Sequence, residues 1–292
     1  MSDIIKVIIL SFVEGFTEFL PVSSTGHLIL VNEFVSLEPE AFSNAFNVII
    51  QLGAICAVIR QYFYKLNPID LGKISFNTDM GDYEFLSFKD KLKFRINNFH
   101  KPTMRLWIKV LIGFLPAMVL GFLFDDLIDK YLFSPTVVAA ALIFWGIVII
   151  YIEKFKVVDV KTDSLGEITP IQAVKIGFFQ CLAMIPGTSR SAATIIGGRL
   201  TGTSRVVAAE YSFFLAIPTM LGATALKILK MGANFTQSQW GLILLGAFLS
   251  YLVAEVVIRT FMKFIKNNSF TVFGIYRIII GIVVFLYIYI TN

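Results

Sequence analysis

The residues able to do chemistry gather in two short stretches. The first, "EGFTEFLPVSSTGHLIL" (14–30), places two carboxylates, a proline, four hydroxyls and a histidine inside an apolar run. Glu14 and Glu18 are four apart, so a helix puts them on one face, about one turn from each other. Two carboxylates that close in apolar surroundings repel, and one is protonated unless a cation sits between them. The pair therefore reads as a Mg²⁺ or Ca²⁺ site, or as one metal ligand plus one general base. The plain alternative is two surface acids on an amphipathic helix. Pro21 ends the first helix, and Ser23, Ser24 or Thr25 can cap the next. The N-terminus of that helix then offers N–H groups to an anion. His27 lies about one turn inside it, as a proton-transfer group or as a packing residue. The second stretch, "PGTSRS" (186–191), supplies Arg190. A buried guanidinium suits a phosphate or a carboxylate, and an ion pair to Glu14 or Glu18 would join the two stretches. Gly187 permits close backbone approach to a ligand. Acids for a metal, a hydroxyl nucleophile, a histidine and an arginine together match the needs of phosphoryl transfer.

These groups need elements that hold them inside a membrane. The chain is 57% hydrophobic and only 15% charged, where a soluble domain of this size carries nearer a quarter charged residues. Mean hydropathy is +0.77. Six stretches, near 43–63, 106–124, 136–152, 209–229, 239–259 and 270–290, are long enough to span as helices. They are continuous runs, not the short alternating strands of a β-barrel. The expected fold is an all-α integral membrane protein.

Two further apolar regions, 3–33 and 171–200, break in the middle at a proline followed by small hydroxyl residues. Each half is too short to span, which is the pattern of a re-entrant helix–loop–helix buried in protein. The breaks resemble each other: "EFLPVSST" aligns with "AMIPGTSR", Pro21 on Pro186 and Ser24 on Ser189, and "LGA" at 52–54 recurs at 221–223. The chain thus reads as a single membrane domain of two repeats, 1–153 and 171–292. Each repeat has one hairpin and three spans, and the odd number inverts the second repeat relative to the first.

Orientation follows loop charge. The 65–105 loop holds eight Lys/Arg against five Asp/Glu, and Arg259, Lys263 and Lys266 cluster further on. Both regions read as cytoplasmic. Asp125, Asp126 and Asp129 place the 125–134 loop outside, so both termini are outside. The first hairpin then enters from the outside and the second from the cytoplasm. The start of the chain lacks a basic n-region, and its two carboxylates interrupt the apolar run a cleavable signal would need. Cys56 and Cys181 read as small core residues, not a disulfide frame. Arg60, Arg205 and Glu210 lie near span ends and read as snorkelling. Lys109 is expected at the cytoplasmic interface, and the deeper Glu255 and Arg277 as an ion pair.

"EGFTEFLPVSSTGHL" and "PGTSRSAATI" resemble the two signature motifs of the bacterial undecaprenyl-diphosphate phosphatase family, the bacitracin-resistance type. "NVIIQLGAICAVI" (47–59) and "AAEYSFFLAIPTMLGA" (208–223) are also similar to family segments. The resemblance implies six spanning helices plus two re-entrant hairpins in an inverted repeat. It implies a phosphoric-anhydride hydrolase that converts undecaprenyl diphosphate to the monophosphate and recycles the carrier lipid for cell-wall polymers. It also implies a multi-pass protein of the bacterial cytoplasmic membrane with its site facing outward. The family's metal-associated acids fall on Glu14 and Glu18, its Ser/His pair on Ser24 and His27, and its phosphate-binding arginine on Arg190. Gln51, Thr188 and Ser189 also occupy matching positions. The implied cofactor is a divalent cation, Mg²⁺ or Ca²⁺. The implied partners are the lipid substrate and the bilayer, with a homodimer left open and no nucleic acid. The competing function is a polyprenyl-phosphate transporter or flippase, because broken helices in inverted repeats also build transporters. A transporter has no need of two adjacent carboxylates beside a serine and a histidine.

Overall fold

The computed structural model describes residues 1–69, 87, 99–132, 134–156, 158–231 and 235–291. Most of the 65–105 loop lies outside the described residues, as do the side chains of 125–131. Among the described residues every named element is helical. The lone β-bridge joins Thr162 to Thr203.

Helix α1 runs Asp3–Thr17 and α2 Ser24–Asn32. After them come α3 (Glu40–Ile49), α4 (Gln51–Gln61) and the single turn α5 (Phe63–Leu66). Helices α6 (Lys101–Leu132) and α7 (Pro135–Phe155) complete the first half. The second half opens with α8 (Pro170–Cys181), a 3₁₀ turn Leu182–Met184 and α9 (Arg190–Leu200). It ends with α10 (Arg205–Met231), α11 (Gln237–Asn267) and α12 (Thr271–Thr291). Among the described residues six segments are long and apolar enough to cross a membrane: Glu40–Gln61, Lys101–Phe124, Pro135–Phe155, Arg205–Lys230, Gln237–Asn267 and Thr271–Ile290. They cover the six expected spans. The first is built from two helices, α3 and α4, meeting at Ile50.

Local sequence starts these helices where expected. Pro135 and Pro170 stand in first turns, where a missing N–H costs nothing. Thr169 with Gln172, and Thr236 with Gln239, form capping boxes at α8 and α11.

Helix packing crosses between the halves. Helix α1 packs on α11, while α8 packs on α6; α4 packs on α11, while α10 packs on α6; α7 and α12 pack on each other. Small residues let these backbones touch, as apolar helices without a hydrophobic drive between them require. A Cβ on Gly15 of α1 would sit 2.6 Å from Ser250 O of α11, and one on Gly177 of α8 would sit 2.3 Å from Gly113 O of α6.

Several charged residues sit differently from expectation. Glu255 and Arg277 do not pair. Glu255 takes Arg60 and Arg259 instead, the latter one turn along the same helix. Arg60 is thus both half-exposed and paired. Arg205 bonds Glu153 at 2.7 Å, and Glu210 bonds Lys65 at 2.7 Å, so neither merely snorkels. Lys109 donates to Gly166 O at 2.7 Å. Cys56 is exposed on α4, not in the core, Cys181 is half-buried, and both are free thiols.

Candidate active site

The break between α1 and α2 and the break between α8 and α9 meet. Ser191 Oγ, in the first turn of α9, donates to Leu20 O of the first break at 2.8 Å. The Arg190 guanidinium lies over the Phe19 ring, 5.9 Å from its centroid. Both second helices begin alike. Ser23 and Ser189 are N-caps with φ of 74°, and each Oγ accepts from the N–H three residues on. The second loop is one residue longer after its proline, so Ser23 and not Ser24 stands opposite Ser189. Ser24 and Arg190 therefore occupy the same position, the first residue of a half-helix.

Both converge on one carboxylate. Ser24 Oγ donates to Glu18 Oε2, and Arg190 Nη2 donates to Glu18 Oε1 at 3.0 Å. Arg190 Nη1 donates to Ser212 O at 2.8 Å, and Ser212 Oγ in turn accepts from Thr194 Oγ1 at 2.7 Å. The guanidinium is thus aimed by the α10 backbone. A charged hydrogen bond in a buried site is stronger than a neutral one, and Glu18 receives two bonds that fix its plane.

Glu14 lies one turn back on α1, fully buried, and neither of its oxygens has a hydrogen-bond partner. A bare ionised carboxylate at that depth costs several kcal/mol, so the position calls for a proton or a cation. The donors present fit a hard ion. Two carboxylates and nearby hydroxyls offer oxygen ligands, and Mg²⁺ commonly takes one or two carboxylates and completes its shell with water and phosphate. Among the described residues no three His, Cys, Asp or Glu gather around one point, so the protein alone does not complete a cage. Thr188 Oγ1 is likewise buried without a partner.

Other expected residues stand apart. His27 does not bond Ser24. Its Nδ1 meets Ser23 O at 2.7 Å and its Nε2 meets Tyr276 Oη at 2.7 Å. A carbonyl can only accept, so Nδ1–H donates to Ser23 O, and in the neutral imidazole Nε2 accepts from Tyr276 Oη. The two rings lie parallel, 5.6 Å apart. Gln51 opens α4 with no hydrogen bond to these groups, and Thr25 is half-buried without a bond to Glu18. Ser189 bonds Ser191 Oγ at 3.0 Å. Gly187 has φ of 90°, and a Cβ there would lie 2.5 Å from Val138 O. The side of Gly187 where a Cβ would stand faces α7. The sequence reading missed Tyr276, Ser212, Thr194 and the true partners of Arg277. The only available signal was a tyrosine and an arginine side by side in an otherwise apolar span.

An embedded helical protein whose broken helices bring a serine to a carboxylate and an arginine has the parts of a membrane phosphohydrolase. Comparison with known proteins agrees. The family model described as bacitracin resistance protein BacA matches residues 7–283. Undecaprenyl-diphosphatase 1 of Clostridioides difficile is 49% identical over 99% of this chain and 97% of that protein. The undecaprenyl-diphosphatases of Fusobacterium nucleatum and Enterococcus faecalis are 48% and 45% identical, over 97% of this chain in each case and 100% and 96% of theirs. The chain belongs to the BacA family.

Proposed function

We propose that the chain hydrolyses undecaprenyl diphosphate to undecaprenyl phosphate and inorganic phosphate, with Ser24 as nucleophile, Glu18 as its base and Arg190 as the neutralising cation. The relatives' shared name supports the reaction. The shared Glu18 carboxylate, bonded to Ser24 and to Arg190, carries the assignment of roles. Ser24 Oγ attacks the terminal phosphorus and its proton passes to Glu18. The bond from that phosphorus to the bridging oxygen breaks, and undecaprenyl phosphate leaves with the electron pair. Water then displaces the serine oxygen from phosphorus, Glu18 returns its proton to Ser24, and phosphate departs. Arg190 meets the charge on the transferring oxygens. His27 holds the Ser23 carbonyl and leaves proton transfer to Glu18.

Glu14 and Glu18 would hold a Mg²⁺ or Ca²⁺. Such an ion supplies charge neutralisation at the phosphate oxygens. The two broken helix pairs are re-entrant hairpins of an inverted repeat, which the exchanged packing between halves supports. The protein sits in the bacterial cytoplasmic membrane with the centre open to the outer side. The released carrier lipid returns to cell-wall synthesis. A flippase would use the buried arginine but has no use for a serine bonded to a carboxylate.

The test is phosphate release by detergent-purified protein from a polyprenyl diphosphate labelled at the terminal phosphate, stopped by rapid quench. Acid-stable label on the peptide around Ser24 is expected, and absent from Ser24→Ala. Acid-labile, base-stable label would move the nucleophile to His27. No covalent label, with Ser24→Ala still active, would mean direct attack by water.

A further inference from the structure

Arg277 has no part in the chemistry above, yet it is fully buried near the start of α12. Among the described residues no carboxylate pairs with it. Its donors go to backbone carbonyls. Nη1 donates to Pro21 O at 3.1 Å, and Nη2 donates to Gly187 O at 2.6 Å and Thr188 O at 2.9 Å. Nε reaches Leu142 O of α7 at 3.5 Å. One guanidinium therefore bridges both break loops and a third helix.

The bridged carbonyls lie where position matters most. Pro21 is three residues before Ser24; Gly187 and Thr188 are three and two before Arg190. None of these carbonyls can enter a helical ladder, so each needs a donor from elsewhere. The loops come from opposite halves of the chain, and no covalent link sets their spacing. A planar fork of five N–H donors can serve three carbonyls at fixed angles, which a flexible ammonium cannot.

We propose that Arg277 is a positioning residue for the reaction. By holding the carbonyls upstream of both half-helices, it sets the distance at which Ser24 and Arg190 meet on Glu18. This rests on the reading that Ser24, Glu18 and Arg190 form the centre. Among the described residues Arg277 makes no hydrogen bond to Ser24, Glu18 or Arg190. Its effect passes through the two loops.

A double-mutant cycle on the full-length protein distinguishes positioning from general stabilisation. Arg277→Lys, Arg190→Lys and the double variant are compared with the native protein by phosphate release from a short polyprenyl diphosphate. Arg277→Gln serves as a second variant at the site. Only monodisperse protein is assayed, with its thermal midpoint recorded. Arg277→Lys should lower kcat by about 30-fold while KM stays within about threefold. Arg190→Lys should cost about 30-fold or more in the native background but under about threefold beside Arg277→Lys, because its aim is already lost. Losses that multiply, or near-native kcat in Arg277→Lys or Arg277→Gln, would overturn the proposal. Full turnover by Ser24→Ala would instead remove the centre itself, a separate result from uncoupled losses.

Discussion

At the scale of single residues, Glu18 and Glu14 stand one helical turn apart in different surroundings. Glu18 is engaged on both oxygens, while Glu14 is bare. Glu18→Gln keeps the shape but removes the base, so turnover should fall by at least about a hundredfold, near the lower end of general-base effects, with the protein still folded in the membrane. Glu14 should be read through metal dependence. Excess chelator should abolish phosphate release by the native protein, and Mg²⁺ or Ca²⁺ should restore it. Full activity in chelator would leave Glu14 with a proton instead of an ion. His27 and Tyr276 form one hydrogen-bonded unit that holds the Ser23 carbonyl. Removing either end should have the same effect. His27→Gln and Tyr276→Phe should each lose about tenfold in kcat, the order of one or two net hydrogen bonds, and combining them should cost little more. A His27→Gln loss far beyond that of Tyr276→Phe would give the imidazole a direct role.

At the scale of elements, the site depends on how closely helices approach. Gly177 has the Gly113 carbonyl against it, and Gly187 combines a left-handed backbone with contact to Val138 O. Gly187→Ala should destabilise by about 1–3 kcal/mol from backbone strain alone, with added cost from the 2.5 Å approach to Val138 O. It should also lower kcat, since Gly187 O is an Arg277 partner. A Cβ on Gly222, by contrast, would meet only the far end of the Phe114 ring, at 3.4 Å. Gly222→Ala should leave both the thermal midpoint and activity close to native. Equal midpoints for the two variants in one detergent would refute the packing argument. The two breaks were legible because proline and small hydroxyls interrupt an apolar run. Their exact register was not. The second loop carries an extra residue after Pro186, and only the cap geometry at Ser23 and Ser189 shows it.

At the scale of the whole molecule, helices of each half pack on helices of the other, and the proposed inversion of the second half is tested by topology. The topology test uses single cysteines at Lys91 and Asp129 in a background lacking Cys56 and Cys181. Lys91 should label only from the cytoplasm and Asp129 only from outside. Labelling of both from one side would mean that the span between them does not cross, and the inverted arrangement would fall with it.

The sequence by itself determined the solvent, the number of spans and the two breaks. Hydrophobic length and proline placement are local properties, and bilayer thickness converts them directly into spans. Tertiary structure alone decided which polar group faces which. Glu18 and Arg190 are 172 residues apart, and Arg277 stands 256 residues beyond Pro21. A charge in an apolar span announces that it needs a partner but carries no record of which one. Glu255 and Arg277 looked complementary by sign. The fold gave Glu255 to two nearby arginines and gave Arg277 to carbonyls that the broken helices had left without donors. Unpaired backbone is created by the break itself, and the helix that satisfies it is chosen by packing.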